Sequence, residues 1–254
     1  MEPNLATESD SPRRFATTRW SVIRAAGAGS ESTTRTALAE LCRLYWRPVF
    51  AFICRRGNST TDAQDLTQDF FVKVLEGDLL RRADPERGRF RSLLLKSLQG
   101  FLNDAHDRRQ AKKRGGDLEF VSWEHWMAEA PSHLQLSQRA LASATPERLF
   151  DIRWAATVVE QARGRLREEC VARNRRRVFD ALSGYLSTER SDVSYPRLAS
   201  NLGVAGDAVR RFLHQLRVRY RALLREEVAR TVETDADIED EIRYLCAALA
   251  TGSE

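Results

Sequence analysis

The stretch SYPRLASNLGVAGDAVRRFLHQLRVRYRALLREEV, residues 194–228, decides the fold. It reads as a short helix, a tight turn and a longer helix. Ala199 is small where the two helices must cross, Gly203 supplies the positive φ of the turn, and Val204, Val209, Phe212 and Leu216 fill the space between them. Counted from Ala199, the offsets of four, ten and thirteen to Gly203, Val209 and Phe212 are those of a helix-turn-helix. With Val209, Phe212, Leu213 and Leu216 turned to the core, Asp207, Arg210, Arg211, His214 and Arg217 share the outer face, the side that would enter a DNA major groove. Arginine there can bond guanine edges bidentately or neutralise phosphates. The competing reading is a helical hairpin with a solvated arginine face. It requires the glycine turn, the small crossing residue and the basic outer face to coincide by accident.

Upstream of this motif the apolar residues keep a helical period. Leu38, Leu41, Tyr45, Val49 and Phe52 recur at three- and four-residue spacing, with Pro48 expected to kink the helix and Gly57 to end it. Thr61 and Gln64 have the spacing of a capping box for a second helix, whose core stripe is Ala63, Leu66, Phe70 and Val74. Asp62, Asp65, Gln68 and Asp69 then face away from the core, and Gly77 closes the helix. A third helix carries Phe90, Leu93, Leu94, Ser97, Phe101 and Ala105, and ends in a cluster of Arg108, Arg109, Lys112, Lys113 and Arg114 before two glycines. The helix dipole favours cations there even without a partner. Periodicity fades over 115–144, around Trp123 and Trp126, and resumes where Thr145 and Pro146 form a helix start. Leu149, Ile152, Ala156, Val159 and Leu166 continue that helix, and Val178, Leu182 and Tyr185 mark the next.

No segment alternates with period two for long enough to be a strand. The expectation is an all-α chain of two helical domains: a loose arm over 1–34 with a small apolar patch at Phe15, Trp20, Val22 and Ile23, a first domain over 35–116, a linker over 117–144, a second domain over 145–232 and an acidic extension over 233–254. In that extension Ile238, Ile242, Leu245 and Leu249 form a helical stripe beside Asp235, Asp237, Glu239, Asp240 and Glu241. It either packs on the chain's own core or shields a basic DNA-binding face.

Charge is distributed in blocks. Residues 81–116 carry eleven Lys or Arg against four acids and residues 160–230 sixteen Arg against nine, a local balance of +7 each, whereas 231–254 carry seven acids and one Arg. Two basic blocks suit two contacts with a polyanion. No run approaches the roughly 18–20 apolar residues of a membrane span, and no signal-peptide core is visible at the N-terminus, so a cytoplasmic protein without membrane insertion is expected. Cys42, Cys54, Cys170 and Cys246 are scattered without metal-ligand or disulfide spacing and read as free thiols.

Taken together, the blocks resemble an RNA polymerase sigma factor of the extracytoplasmic-function (ECF) type, in a long variant with extended linker and tail. RPVFAFICRRG (47–57) and DAQDLTQDFFVKVLE (62–76) look like helices of the family's second region, GRFRSLLLKSLQGFLNDAHDRRQAKKR (88–114) like its promoter-melting helix, and 195–228 like its fourth region. The resemblance implies core RNA polymerase and promoter DNA as partners. Asp65, Gln68, Asp69 and Phe70 would dock on the polymerase. Asn103, Arg108, Arg109, Lys112, Lys113 and Arg114 would bind the minus-ten element, and Arg210, Arg211, His214 and Arg217 would read the minus-35 element. Many relatives place Ser and Glu before the recognition helix where this chain has Ala205, Gly206 and Asp207, so Asp207 is expected to cap the helix instead of touching DNA. The resemblance leaves room for an anti-sigma factor, or for intramolecular regulation by the C-terminal extension.

No cofactor, metal or enzymatic activity is expected. One rival is a nuclease-like metal site built from Asp62, Asp65 and Asp69 with Asp104 and Asp107, but it lacks a nucleophile-base pair and a phosphate-binding glycine loop. A stand-alone helix-turn-helix regulator is the other. It leaves the acidic helix and the first basic block unassigned.

Overall fold

In the computed structural model the described residues are 31–76, 79–83, 89–112, 137–232 and 235–253. They are helical, with no strand among them. The order is α1 (Glu31–Arg55), α2 (Thr60–Glu76), α3 (Leu79–Arg82), α4 (Phe90–Lys112), α5 (Gln138–Ser143), α6 (Pro146–Ala172), α7 (Arg176–Leu182), α8 (Tyr195–Leu202), α9 (Gly206–Ala229) and α10 (Asp235–Ser253). Two short 3-10 turns, Ser183–Tyr185 and Arg190–Asp192, join α7 to α8. The apolar patch at 15–23, Gly77, the two tryptophans of the linker and the glycines at 115–116 lie outside the described residues.

The helix boundaries follow local chemistry. α1 runs through Pro48 and ends where Gly57, at φ 87°, donates its N–H to the Cys54 carbonyl at 3.0 Å. α2 begins earlier than the Thr61–Gln64 pair suggested. The Ser59 hydroxyl accepts from the Asp62 N–H at 3.1 Å and donates to the Asp62 carboxylate at 3.0 Å, so Ser59 and Asp62 do the capping. Thr145 caps α6 as expected, its hydroxyl accepting from the Arg148 N–H at 3.2 Å with Pro146 in the first turn.

α6 is the spine of the molecule. Every residue from 152 to 159 is buried, because α1 packs on one side of it and α9 and α10 on another. A helix with apolar residues on all sides, here LFDIRWAATVVEQA, is stable only when enclosed in this way. One apolar cluster accordingly runs from Leu41 and Tyr45 through Phe70, Phe101, Phe150 and Trp154 to Leu213, Leu223 and Leu245. The core is continuous across the segment expected to be a linker, whose last residues form α5. Polar ties reinforce it: Arg47 to Glu160 at 2.9 Å, Gln99 to Glu147 at 3.1 Å, and Arg55 to the Ala144 carbonyl at 2.8 Å. On the other side of α6, Arg165 reaches Glu227 at 2.9 Å, and Arg219 grips both carboxylate oxygens of Glu169.

α10 buries Ile238 and Leu245 against the core, with Ile242 and Leu249 packed beside them, the stripe read from the sequence. Its acids pair with Arg89, Arg91 and Arg225. Arg225 stands eleven residues beyond His214, about 16 Å along a helix. Those ion pairs therefore do not reach the start of α9.

Candidate nucleic-acid and partner interfaces

The helix-turn-helix forms as its sequence indicates. α8 ends at Gly203, whose φ of 68° and ψ of 35° are left-handed, and the Val204 N–H closes the turn on the Ala199 carbonyl at 3.1 Å. Leu198, Val209, Leu213 and Leu216 are buried between the helices, with Ala199 and Phe212 packed at the edge. Val204 differs from expectation. It follows the turn glycine, past the end of α8, and is 37% exposed instead of filling the crossing.

The residues of the outer face divide. Arg211 and His214 are exposed. Arg210 is exposed as well, held over the Tyr195 ring at 5.1 Å and paired with Asp207 at 2.8 Å. Asp207 does not cap α9: Ala205 is the N-cap residue, without a side-chain bond, and the Asp207 carboxylate lies in the first turn, where the helix dipole favours it. Arg217 turns inward. Its guanidinium donates to the Tyr185 carbonyl at 2.9 and 3.2 Å and to the Thr188 carbonyl, acceptors at the end of the first 3-10 turn and in the connection that follows it. Its two partners fix it to the protein instead of leaving it free on the groove side.

Sequence reasoning stopped too early along α9 and overlooked a loop. Val218 and Arg221 are exposed and continue the face of Arg211 and His214. Arg173 and Arg175 stand exposed on the turn between α6 and α7, and Arg176 and Arg177 in the first turn of α7, with Arg175 over the Phe212 ring at 6.0 Å. Four arginines in five residues was the available signal.

In the first half, α2 presents Asp65, Gln68 and Asp69 to solvent. Val72 at 48% exposure and Leu75 at 40% extend this face, adding an apolar portion that the sequence reading did not assign. Phe70 is not part of it. It is 1% exposed, edge-on to Phe71 at 5.9 Å and 5.6 Å from Phe101, because it belongs to the core stripe of α2. Asn103 is exposed on α4, Arg108, Arg109 and Lys112 lie in the last turns of that helix, and Lys113 and Arg114 fall outside the described residues.

Asp104 pairs with Lys73 at 3.4 Å, and Asp62 is engaged by Ser59. Among the described residues no group of three or more potential metal ligands converges, and no helix is long and apolar enough to cross a membrane. The four cysteines are free thiols, of which Cys54 has its pKa pushed up to about 12 by burial.

Comparison with curated proteins and with solved structures found no match. Residues 41–112 match the family Sigma-70 region 2. This segment spans the buried part of α1, the acidic face of α2 and all of α4. The chain thus carries a sigma-70 region 2 domain, which supports a sigma factor of the sigma-70 family.

Proposed function

We propose that the chain is a sigma factor of the ECF type that binds core RNA polymerase and directs initiation at specific promoters. The observation that carries this reading is that the segment matching Sigma-70 region 2 presents the acidic face of Asp65, Gln68 and Asp69 on the same chain as an accessible helix-turn-helix. The acidic face, with Val72 and Leu75, docks on a basic polymerase surface. Asn103, Arg108, Arg109, Lys112, Lys113 and Arg114 bind the minus-ten element, where extruding a base costs a few kcal/mol that positive charge on one strand helps to offset. Arg210, Arg211 and His214 read the minus-35 element as duplex, while Arg217 supports that helix from behind.

The test is transcription with purified core polymerase on promoters mapped from transcript ends after overexpression. Promoter-specific initiation is the expected result, and absence of any complex with core enzyme overturns the reading. Within the DNA-binding half, Arg210→Ala and Arg211→Ala are each expected to lower the salt slope of duplex binding by about one unit. Arg217→Ala should leave that slope unchanged and lower the melting temperature, since it removes charge-assisted bonds to two carbonyls.

A further inference from the structure

The helix-turn-helix holds one of its arginines in a fixed direction. Arg210 is the fifth residue of α9, in the stretch that meets base edges when such a helix enters a major groove. Although 63% exposed, it is bound on two sides. One turn back along α9, the Asp207 carboxylate accepts from its Nη1 at 2.8 Å. From α8, the Tyr195 ring lies under the guanidinium, its centre 5.1 Å from Cζ. Tyr195 opens α8 and is half-buried against the core, so the ring is anchored, and the Gly203 turn brings α8 against α9. Arg211 and His214, on the same face, have no hydrogen bond, ion pair or ring contact among the described residues.

The two contacts of Arg210 do little for the fold, since an exposed ion pair one turn apart is screened by solvent and contributes little stability. What they change is the freedom of the guanidinium. A long side chain gives up rotamer freedom when it binds, and ordering it beforehand removes that cost. A phosphate contact needs mainly the charge and carries no sequence information. A guanine edge demands more. Its O6 and N7 accept from two N–H groups in one plane, the arrangement that a guanidinium fork matches. In Arg210 the ring covers one face of the fork and Asp207 takes one donor of Nη1, which leaves Nε and Nη2 for such an edge.

The charge of Asp207 points the same way. A carboxylate 85% exposed beside the DNA-facing residues repels every duplex alike. It lowers affinity in general, and its benefit is confined to the sequence that an aligned Arg210 fits.

We propose that Arg210 reads a guanine of the minus-35 duplex, with Asp207 and Tyr195 as the positioning residues that set its direction and hence the base preference. The proposal deepens the sigma-factor reading and rests on its helix-turn-helix part.

The test is selection from a pool of duplex oligonucleotides of randomised sequence by the full chain, alone and with purified core polymerase, at low salt, where duplex binding is strongest. Wild type should enrich a site containing a guanine whose preference disappears in Arg210→Ala. Asp207→Asn and Tyr195→Leu should each lower the preference for that guanine over the other bases by about tenfold, the scale of one bidentate contact. Asp207→Asn should also bind duplexes lacking the guanine at least as tightly as wild type, because it removes a repelling charge. Tyr195→Phe keeps the ring face and should keep the preference. A folding defect lowers affinity for all duplexes together and does not produce this split. Asp207 is exposed, so its variant carries the test where Tyr195→Leu does not fold. A preference that Asp207→Asn retains in full, or a change in affinity that is equal at every base, overturns the positioning roles. A selected site unchanged in Arg210→Ala overturns Arg210 as the reader. Failure of wild type to enrich any sequence, alone or with core, overturns the helix-turn-helix reading instead.

Discussion

Phe70→Ala is expected to destabilise the chain by about 3–5 kcal/mol, the cost of removing a fully buried aromatic and leaving a cavity beside Phe71 and Phe101. Urea unfolding followed by circular dichroism should show a lower midpoint with an unchanged slope. Any loss of partner binding in this variant should disappear at temperatures where it remains folded. A Phe70→Ala protein of wild-type stability would place the ring outside the core and restore it as a contact candidate.

The second large effect lies one helical face away. The double reversal Asp65→Lys with Asp69→Lys should weaken core polymerase binding by about a hundredfold or more, since juxtaposing like charges across an interface costs several kcal/mol. Both side chains are exposed, so the melting temperature should hardly move. Wild-type affinity in titrations of core polymerase would remove this face from the interface. Phe70→Ala and the double reversal separate what supports α2 from what α2 offers to a partner.

The helix-turn-helix was readable because its constraints are local. A left-handed glycine, a small crossing residue and a four-residue period lie within twenty residues, and of the residues expected to fill the space between the two helices only Val204 departs from expectation. Thr145 was equally legible, since a cap and its proline are adjacent. What the sequence could not disclose depends on distant partners. Arg217 looks like an outer-face arginine until the carbonyls of Tyr185 and Thr188, about thirty residues away, come to meet it. Phe70 was assigned to the core by periodicity and to a contact by resemblance, and the packing of Phe101 from α4 decides for the core. Asp207 has the composition of a cap, but chain geometry puts the N-cap at Ala205 and leaves the carboxylate to Arg210. The continuous core was the least visible feature. Periodicity marks the faces of each helix and says nothing of which distant helix covers them, so a fading pattern over 115–144 suggested a division that α6 bridges.

The enclosure of α6 also bears on how the protein is made. Arg55 and Ala172 are separated by 117 residues, which at about 5–20 residues per second take roughly 6–23 s to synthesise. For the first 95 of those residues α1 has been synthesised while Phe150, which stacks on Tyr45, and Trp154 do not yet exist. The nascent first half therefore waits with the part of α1 that packs on α6 uncovered, a species prone to aggregate and suited to chaperone capture. For the same reason, a fragment ending at residue 116 should be poorly soluble even though it contains the whole segment that matches Sigma-70 region 2.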